Sequence, residues 1–163
     1  MLREKRPGRG GATPAESHRA FLLLFFLSGA LIARFAPGLT AFLPEGRGMA
    51  ALVLLSAILG GSVFGVYAIP VTALLFGALL LRRLEALGLT RWRGTEDWFL
   101  LLPPALLTLA FYAIACGGMR LAEECRTALV SRGGEEARSF FLRKLLLTVL
   151  AAGTAALYGI ISI

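Results

Sequence analysis

From Gly48 to Leu81 the chain runs through 34 residues without one charged side chain. A helix crosses a bilayer core with about 20 apolar residues, so this run fits two crossings with a break better than one. Lipid offers the backbone no hydrogen-bond partner, so each crossing must satisfy its N–H and C=O groups internally. Three more apolar stretches flank the run: Ala20–Ala36, Trp98–Met119 and Leu145–Ile163. None shows the two-residue alternation of a barrel strand. The expected fold is all-α, a polytopic transmembrane helical bundle of about five spans.

Composition agrees, since 57% of the 163 residues are hydrophobic. A soluble domain of this size has too little interior to hide that much apolar surface. Residues 1–19 hold Gly, Pro and charge and read as a disordered, basic cytoplasmic tail. The tail precedes an apolar stretch, as in a signal peptide, but 17 residues exceed a typical signal core and Ala33-Arg34-Phe35-Ala36 is a poor cleavage site. An uncleaved first span is expected. The remaining residues, 20–163, form a single transmembrane domain with spans near 20–36, 49–66, 70–88, 98–119 and 145–163. The break in the long run is expected at Tyr67–Pro70, because a proline ring opposes a continuous helix. The third span then has only 12 fully apolar residues before Arg82 and Arg83, and is the weakest of the five. Pro103 and Pro104 fall in the first turns of the fourth span, where the N–H groups lack helical partners anyway. From Arg120 the fourth helix is expected to continue out of the membrane until Gly133-Gly134.

The net charge of +7 would suit nucleic acid, but the basic residues sit in short loops beside apolar spans, where they set topology and meet anionic headgroups. The lipid bilayer is the expected partner, and nucleic acid is not. With five spans and the N-terminus inside, eleven Lys and Arg lie on the inner side. The external loops hold five: Arg47, Arg82, Arg83, Arg91 and Arg93, with Arg34 inside the first span. One long helix over 48–81 would divide them nine to seven. The positive-inside rule selects five spans.

Within the spans, small residues recur at helical spacing. Gly61 and Gly65 make a GxxxG pair, Gly117 and Gly118 close the fourth span, and Ala151, Ala155 and Gly159 mark the fifth. Small residues let helices approach closely in lipid. Packing within one protomer is the first reading of these stripes, and a homo-oligomer interface the second. Pro70 is assigned a structural role at the break. Gly60-Gly61-Ser62 invites comparison with a serine hydrolase. A nucleophile in the bilayer needs a base, and the one histidine, His18, lies in the polar approach to the first span. No ionisable residue lies deep in a span, which argues against proton-coupled transport. Two cysteines, Cys116 and Cys125, make neither a metal set nor a disulfide framework. No catalytic residue, cofactor or metal site is expected. Arg82, Arg83, Arg91 and Arg93 on one side, and Arg120 and Arg126 in the long segment 120–144 on the other, are the candidate partner-docking residues.

The order of these motifs resembles a known family. Leu55–Pro70, which reads Leu-Ser-Ala-Ile-Leu-Gly-Gly-Ser-Val-Phe-Gly-Val-Tyr-Ala-Ile-Pro, followed by Leu74-Leu75-Phe76-Gly77, looks like the central pair of spans in stage II sporulation protein M. The stretch from Leu101-Leu102-Pro103-Pro104 to Ala115-Cys116-Gly117-Gly118-Met119-Arg120-Leu121 resembles that family's later, proline-led helix. Ser28-Gly29 in the first span also fits. The chain departs from the pattern in having Ala105 after the proline pair and Arg82-Arg83 in place of a Gly-rich apolar stretch. The resemblance implies a noncatalytic integral membrane protein of forespore engulfment. It would scaffold or recruit a peptidoglycan-degrading machine, with a cell-wall hydrolase or its adaptor as partner. The alternative is a small membrane channel or transporter subunit.

Overall fold

A computed structural model describes residues 14–36, 38, 47–88, 97–128 and 134–161. Five helices account for nearly all of them: α1 Pro14–Phe35, α2 Arg47–Leu59, α3 Gly65–Ala86, α4 Asp97–Ala128 and α5 Gly134–Ile161. The described residues include no strand. The chain is an all-α bundle of about five spans. Four of the helices, α1, α3, α4 and α5, are long and apolar enough to cross a membrane. The fifth, α2, has 13 residues.

Helix boundaries depart from the sequence reading at three places. Residues 14–19, assigned to the tail, already belong to α1. Thr13-Pro14-Ala15-Glu16 carries the reason: Pro suits the first helical position, and a Thr three residues before a Glu is a helix-start signature. Residues 1–13 lie outside the described residues.

The second departure is the break within 48–81. It falls at Gly60–Phe64, not at Tyr67–Pro70, and α3 runs through Pro70. A proline six residues into a helix forfeits one backbone bond, to the Val66 carbonyl, because the first-turn N–H groups have no helical acceptor anyway. Adjacent glycines lose more backbone freedom on entering a helix and are the stronger interruption. The turn is closed by Gly61 N–H to the Ile58 carbonyl (3.1 Å), Ser62 N–H to Leu59 (2.9 Å) and Gly65 N–H to Ser62 (3.0 Å). The Ser62 hydroxyl also donates to the Leu59 carbonyl at 2.8 Å. Moving the break lengthens the third helix to 22 residues. The short member of the pair is thus α2, not the third span.

Past Met119, α4 continues to Ala128, as expected of a helix running on from Arg120. The third departure is that α5 begins at Gly134, well before the apolar limit at 145.

Contacting residues fix the direction of each helix. Ser56 meets Thr72 across the α2–α3 hairpin. Phe76 stacks on Phe111 with ring centroids 4.1 Å apart, so α4 returns antiparallel to α3. Gly117 faces Leu147, and Arg143 reaches Glu124, so α5 reverses again. The helices therefore alternate in direction, and the two ends of α1–α5 lie at opposite ends of the bundle. α1 and α3 share a direction and cross where Gly29 meets the Leu74 backbone and Gly77 meets that of Phe26. Either glycine with a side chain would force the backbones apart. α1 rests mainly on α3 and touches α4 lightly, whereas α5 rests on α2 and α4. The core between them is built from Leu22, Met49, Val53, Ile69, Phe76 and Phe111, all buried. The outward faces of α1 and α5 expose Leu24, Leu31, Leu146 and Val149, as lipid-facing helices do.

Candidate functional site

Among the described residues, ion pairs gather at the two ends of the bundle, and one pair of polar side chains is buried inside it. Around the N-terminus of α1, the Gly60–Phe64 turn, the outer part of α4 and the start of α5 come together. His18 Nε2 lies 3.6 Å from a Glu123 carboxylate oxygen. Arg143 donates from Nη1 to both Glu124 oxygens, at 2.9 and 3.1 Å. The far end of the Lys144 side chain, from Cδ to Nζ, lies over Gly61. Arg19, Arg120 and Arg126 are exposed at the same end. At the opposite end, Arg34 pairs with Glu85 at 3.4 Å, bringing the ends of α1 and α3 together. Both side chains are substantially exposed, and such a pair contributes little to stability. Arg82 and Arg83 sit half-buried in the last turns of α3, and Arg47 opens α2 nearby.

The two docking groups expected from sequence thus stand at opposite ends: Arg120 and Arg126 at one, Arg82 and Arg83 at the other. Arg91 and Arg93 lie outside the described residues.

The small residues divide differently from their spacing. Gly61 and Gly65 do not share a helical face, because the break passes between them. Gly61 lies in the turn against the flexible side chain of Lys144, while Gly65 opens α3 against the Leu59 carbonyl and, at 2.9 Å from an added Cβ, the Ala122 methyl. Gly117 faces Leu147 on α5, and Gly118 faces the Ser56 carbonyl and Ile69 on the other side. Pro70, Ala151 and Ala155 are buried, and Gly159 lies within α5. The crossing of Gly29 and Gly77 escaped the sequence reading. Its signal is a repeat: Gly29-Ala30-Leu31 is followed by Arg34, as Gly77-Ala78-Leu79 is by Arg82, at the same spacing.

Inside the bundle, Ser56 and Thr72 are the buried polar side chains among the described residues. Their hydroxyl oxygens are 2.7 Å apart. Ser56 Oγ also lies 2.8 Å from the Leu52 carbonyl, and Thr72 Oγ1 2.7 Å from that of Ile69. Two protons therefore serve three short contacts. Both hydroxyls are satisfied, and neither is poised as a nucleophile, since no base adjoins them. Among the described residues no group of three His, Cys, Asp or Glu is placed to hold a metal ion.

One flank carries a cleft of about 550 Å³, walled by α1, α3 and α4 where α1 leans away from α4. Its lining is apolar but for Thr108 and Tyr112. Each of these turns its hydroxyl to a backbone carbonyl: Thr108 to Pro104 at 2.7 Å and Tyr112 to Arg19 at 3.1 Å.

Comparison of the chain with protein-family models, with curated proteins and with solved structures finds no match.

Proposed function

We propose that this is a noncatalytic scaffold of the bacterial cytoplasmic membrane that recruits a peptidoglycan-degrading machine, as its resemblance to stage II sporulation protein M implies. The observation that carries the reading is the contrast between interior and ends. The interior is closed by stacked Phe76 and Phe111 and by glycine-mediated helix contacts, and its buried polar pair is self-satisfied. Such an interior favours neither a water-filled path nor a reacting group. Basic side chains gather instead at the two ends, where a partner outside the bilayer meets them. An acidic face on an extracytoplasmic hydrolase or its adaptor would be steered to Arg82 and Arg83, with Arg91 and Arg93 in the adjoining sequence.

Affinity capture from sporulating cells tests the proposal. The tagged protein should recover a cell-wall hydrolase or its adaptor. Replacing Arg82, Arg83, Arg91 and Arg93 with Gln should weaken that capture without lowering the abundance of the bait. Unchanged capture by the substituted protein would remove the docking assignment. Movement of a solute or cleavage of a substrate by the purified protein alone in liposomes would replace the scaffold with a transporter or an enzyme.

A further inference from the structure

The cleft on the α1–α3–α4 flank is built for a hydrocarbon chain. Leu22, Leu80, Leu84, Ala105 and Leu109 line it, and its two hydroxyls, on Thr108 and Tyr112, are already committed to backbone carbonyls. A polar ligand would find no open donor on those groups, and its own polar atoms would go unpaired. The volume falls within the ~300–1,000 Å³ of small-molecule pockets, and the flank opens sideways, where lipid is the solvent.

What distinguishes this cleft from any lipid-facing groove is its mouth. Tyr112 ties α4 to the Arg19 carbonyl at the end of the cleft nearest the N-terminus of α1. One and two turns along α4 from Tyr112, on the same helical face, come Cys116 and Arg120, and Glu123 on that face reaches back to His18, the neighbour of Arg19. Among the described residues the acids of this end are otherwise engaged: Glu123 with His18 and Glu124 with Arg143. Among the described residues no ion pair takes up Arg19 or Arg120, and both are exposed. Two exposed arginines therefore share the end of the bundle at which the apolar slot closes on Tyr112. Arginine suits that place, since its planar fork matches a phosphate.

We infer that the cleft holds one anionic phospholipid, with an acyl chain along α4 between Leu22 and Leu109 and the phosphate bridging Arg19 and Arg120. This site is independent of the scaffold reading and would stand if that reading failed. A zwitterionic lipid with the same chains would fill the slot, but its ammonium would partly cancel the attraction of the two guanidinium groups.

Native mass spectrometry of the full chain, released from nanodiscs holding equal amounts of phosphatidylglycerol and phosphatidylcholine with identical chains, tests the inference. One phosphatidylglycerol should be retained at least fivefold more often than phosphatidylcholine. Arg19→Gln with Arg120→Gln should bring that preference to within twofold while total retained lipid falls less. Ala105→Trp, an exposed position on the cleft wall, should remove retention of both lipids. Leu146→Trp, exposed on the distant face of α5, should leave retention at the parent level and so controls for damage to the fold. Free glycerol phosphate in millimolar excess should not displace the lipid, because the chain carries part of the binding. Equal retention of the two lipids, a preference that survives loss of both arginines, or retention unaffected by Ala105→Trp would each overturn the site. Displacement by glycerol phosphate would likewise overturn it in favour of a free-anion site.

Discussion

A methyl group added at Gly65 meets backbone, whereas one added at Gly61 meets only the far end of a lysine side chain. The Leu59 carbonyl beside Gly65 belongs to the preceding helix and cannot swing aside, but the end of Lys144 over Gly61 is a flexible side chain. Gly65→Ala should therefore lower stability by about 1–3 kcal/mol, the range for overpacking a tight site. Gly61→Ala should stay within about 0.5 kcal/mol of the parent, as surface substitutions do. Thermal denaturation in detergent reads both, and equal damage from the two would refute the turn geometry at Gly60–Phe64. Ser56→Ala makes a second test at this scale. It leaves Thr72 with the Ile69 carbonyl, so the loss should be near the ~0.6 kcal/mol average for hydrogen bonds between membrane helices. A loss well above ~2 kcal/mol would mean that Thr72 depends on Ser56 for its partner.

At the scale of whole elements, hydropathy made the number and helical nature of the spans legible, because lipid leaves few alternatives. It misplaced the break within 48–81, since Pro70 and the Gly60-Gly61 pair compete as helix breakers within a single apolar run and hydropathy weighs neither. Packing decides between them: Gly60 lies so close to α4 that an added Cβ would fall 2.5 Å from the Gly118 Cα, which fixes the turn at the glycines. Pro70→Ala should leave the α2–α3 hairpin intact and stability within about 1 kcal/mol, the worth of one restored backbone bond. Cysteine labelling at position 62 from one side of the membrane, in parent and substituted chains alike, checks this. A change of accessible side would show that Pro70, not the glycine pair, reverses the chain. The charged ends were legible as clusters but not as pairs. His18 with Glu123 and Arg34 with Glu85 join residues 105 and 51 positions apart, distances at which sequence carries no register. The cleft was illegible altogether, because it depends on how far α1 leans from α4.

For the molecule as a whole, alternating helices place the two ends of the chain's helical part at opposite ends of the bundle, and the positive-inside rule gives the expectation that the N-terminal end faces the cytoplasm. Reporter fusions at Ile163 and within residues 89–97 should both read as external. A cytoplasmic signal from the fusion at Ile163 would exclude the arrangement. The charged belts are also close together. Arg19 and Arg34 on α1 are 15 residues apart, or ~22 Å along a helix, and α2 is ~20 Å long, against ~30 Å for a typical hydrocarbon core. Reconstitution in lipids with 14-carbon chains should therefore give a higher unfolding temperature than 18-carbon chains, because thick bilayers must thin or force the arginines to snorkel. The reverse order would show that the arginine stems span the difference without strain.

The parallel crossing of α1 and α3 bears on how the protein is made. The Leu74 backbone that receives Gly29 lies 45 residues further along the chain. At ~5–20 residues per second, α1 waits in the membrane for seconds with its close-packing surface open, while α2, already its neighbour in sequence, is not its mate in space. During that interval any other helix with a small-residue face can dock there. A ribosome stalled before Gly65 would leave a nascent hairpin whose Gly29 groove is permanently available. Quality-control proteases and insertion chaperones of the membrane would meet this protein first at that groove.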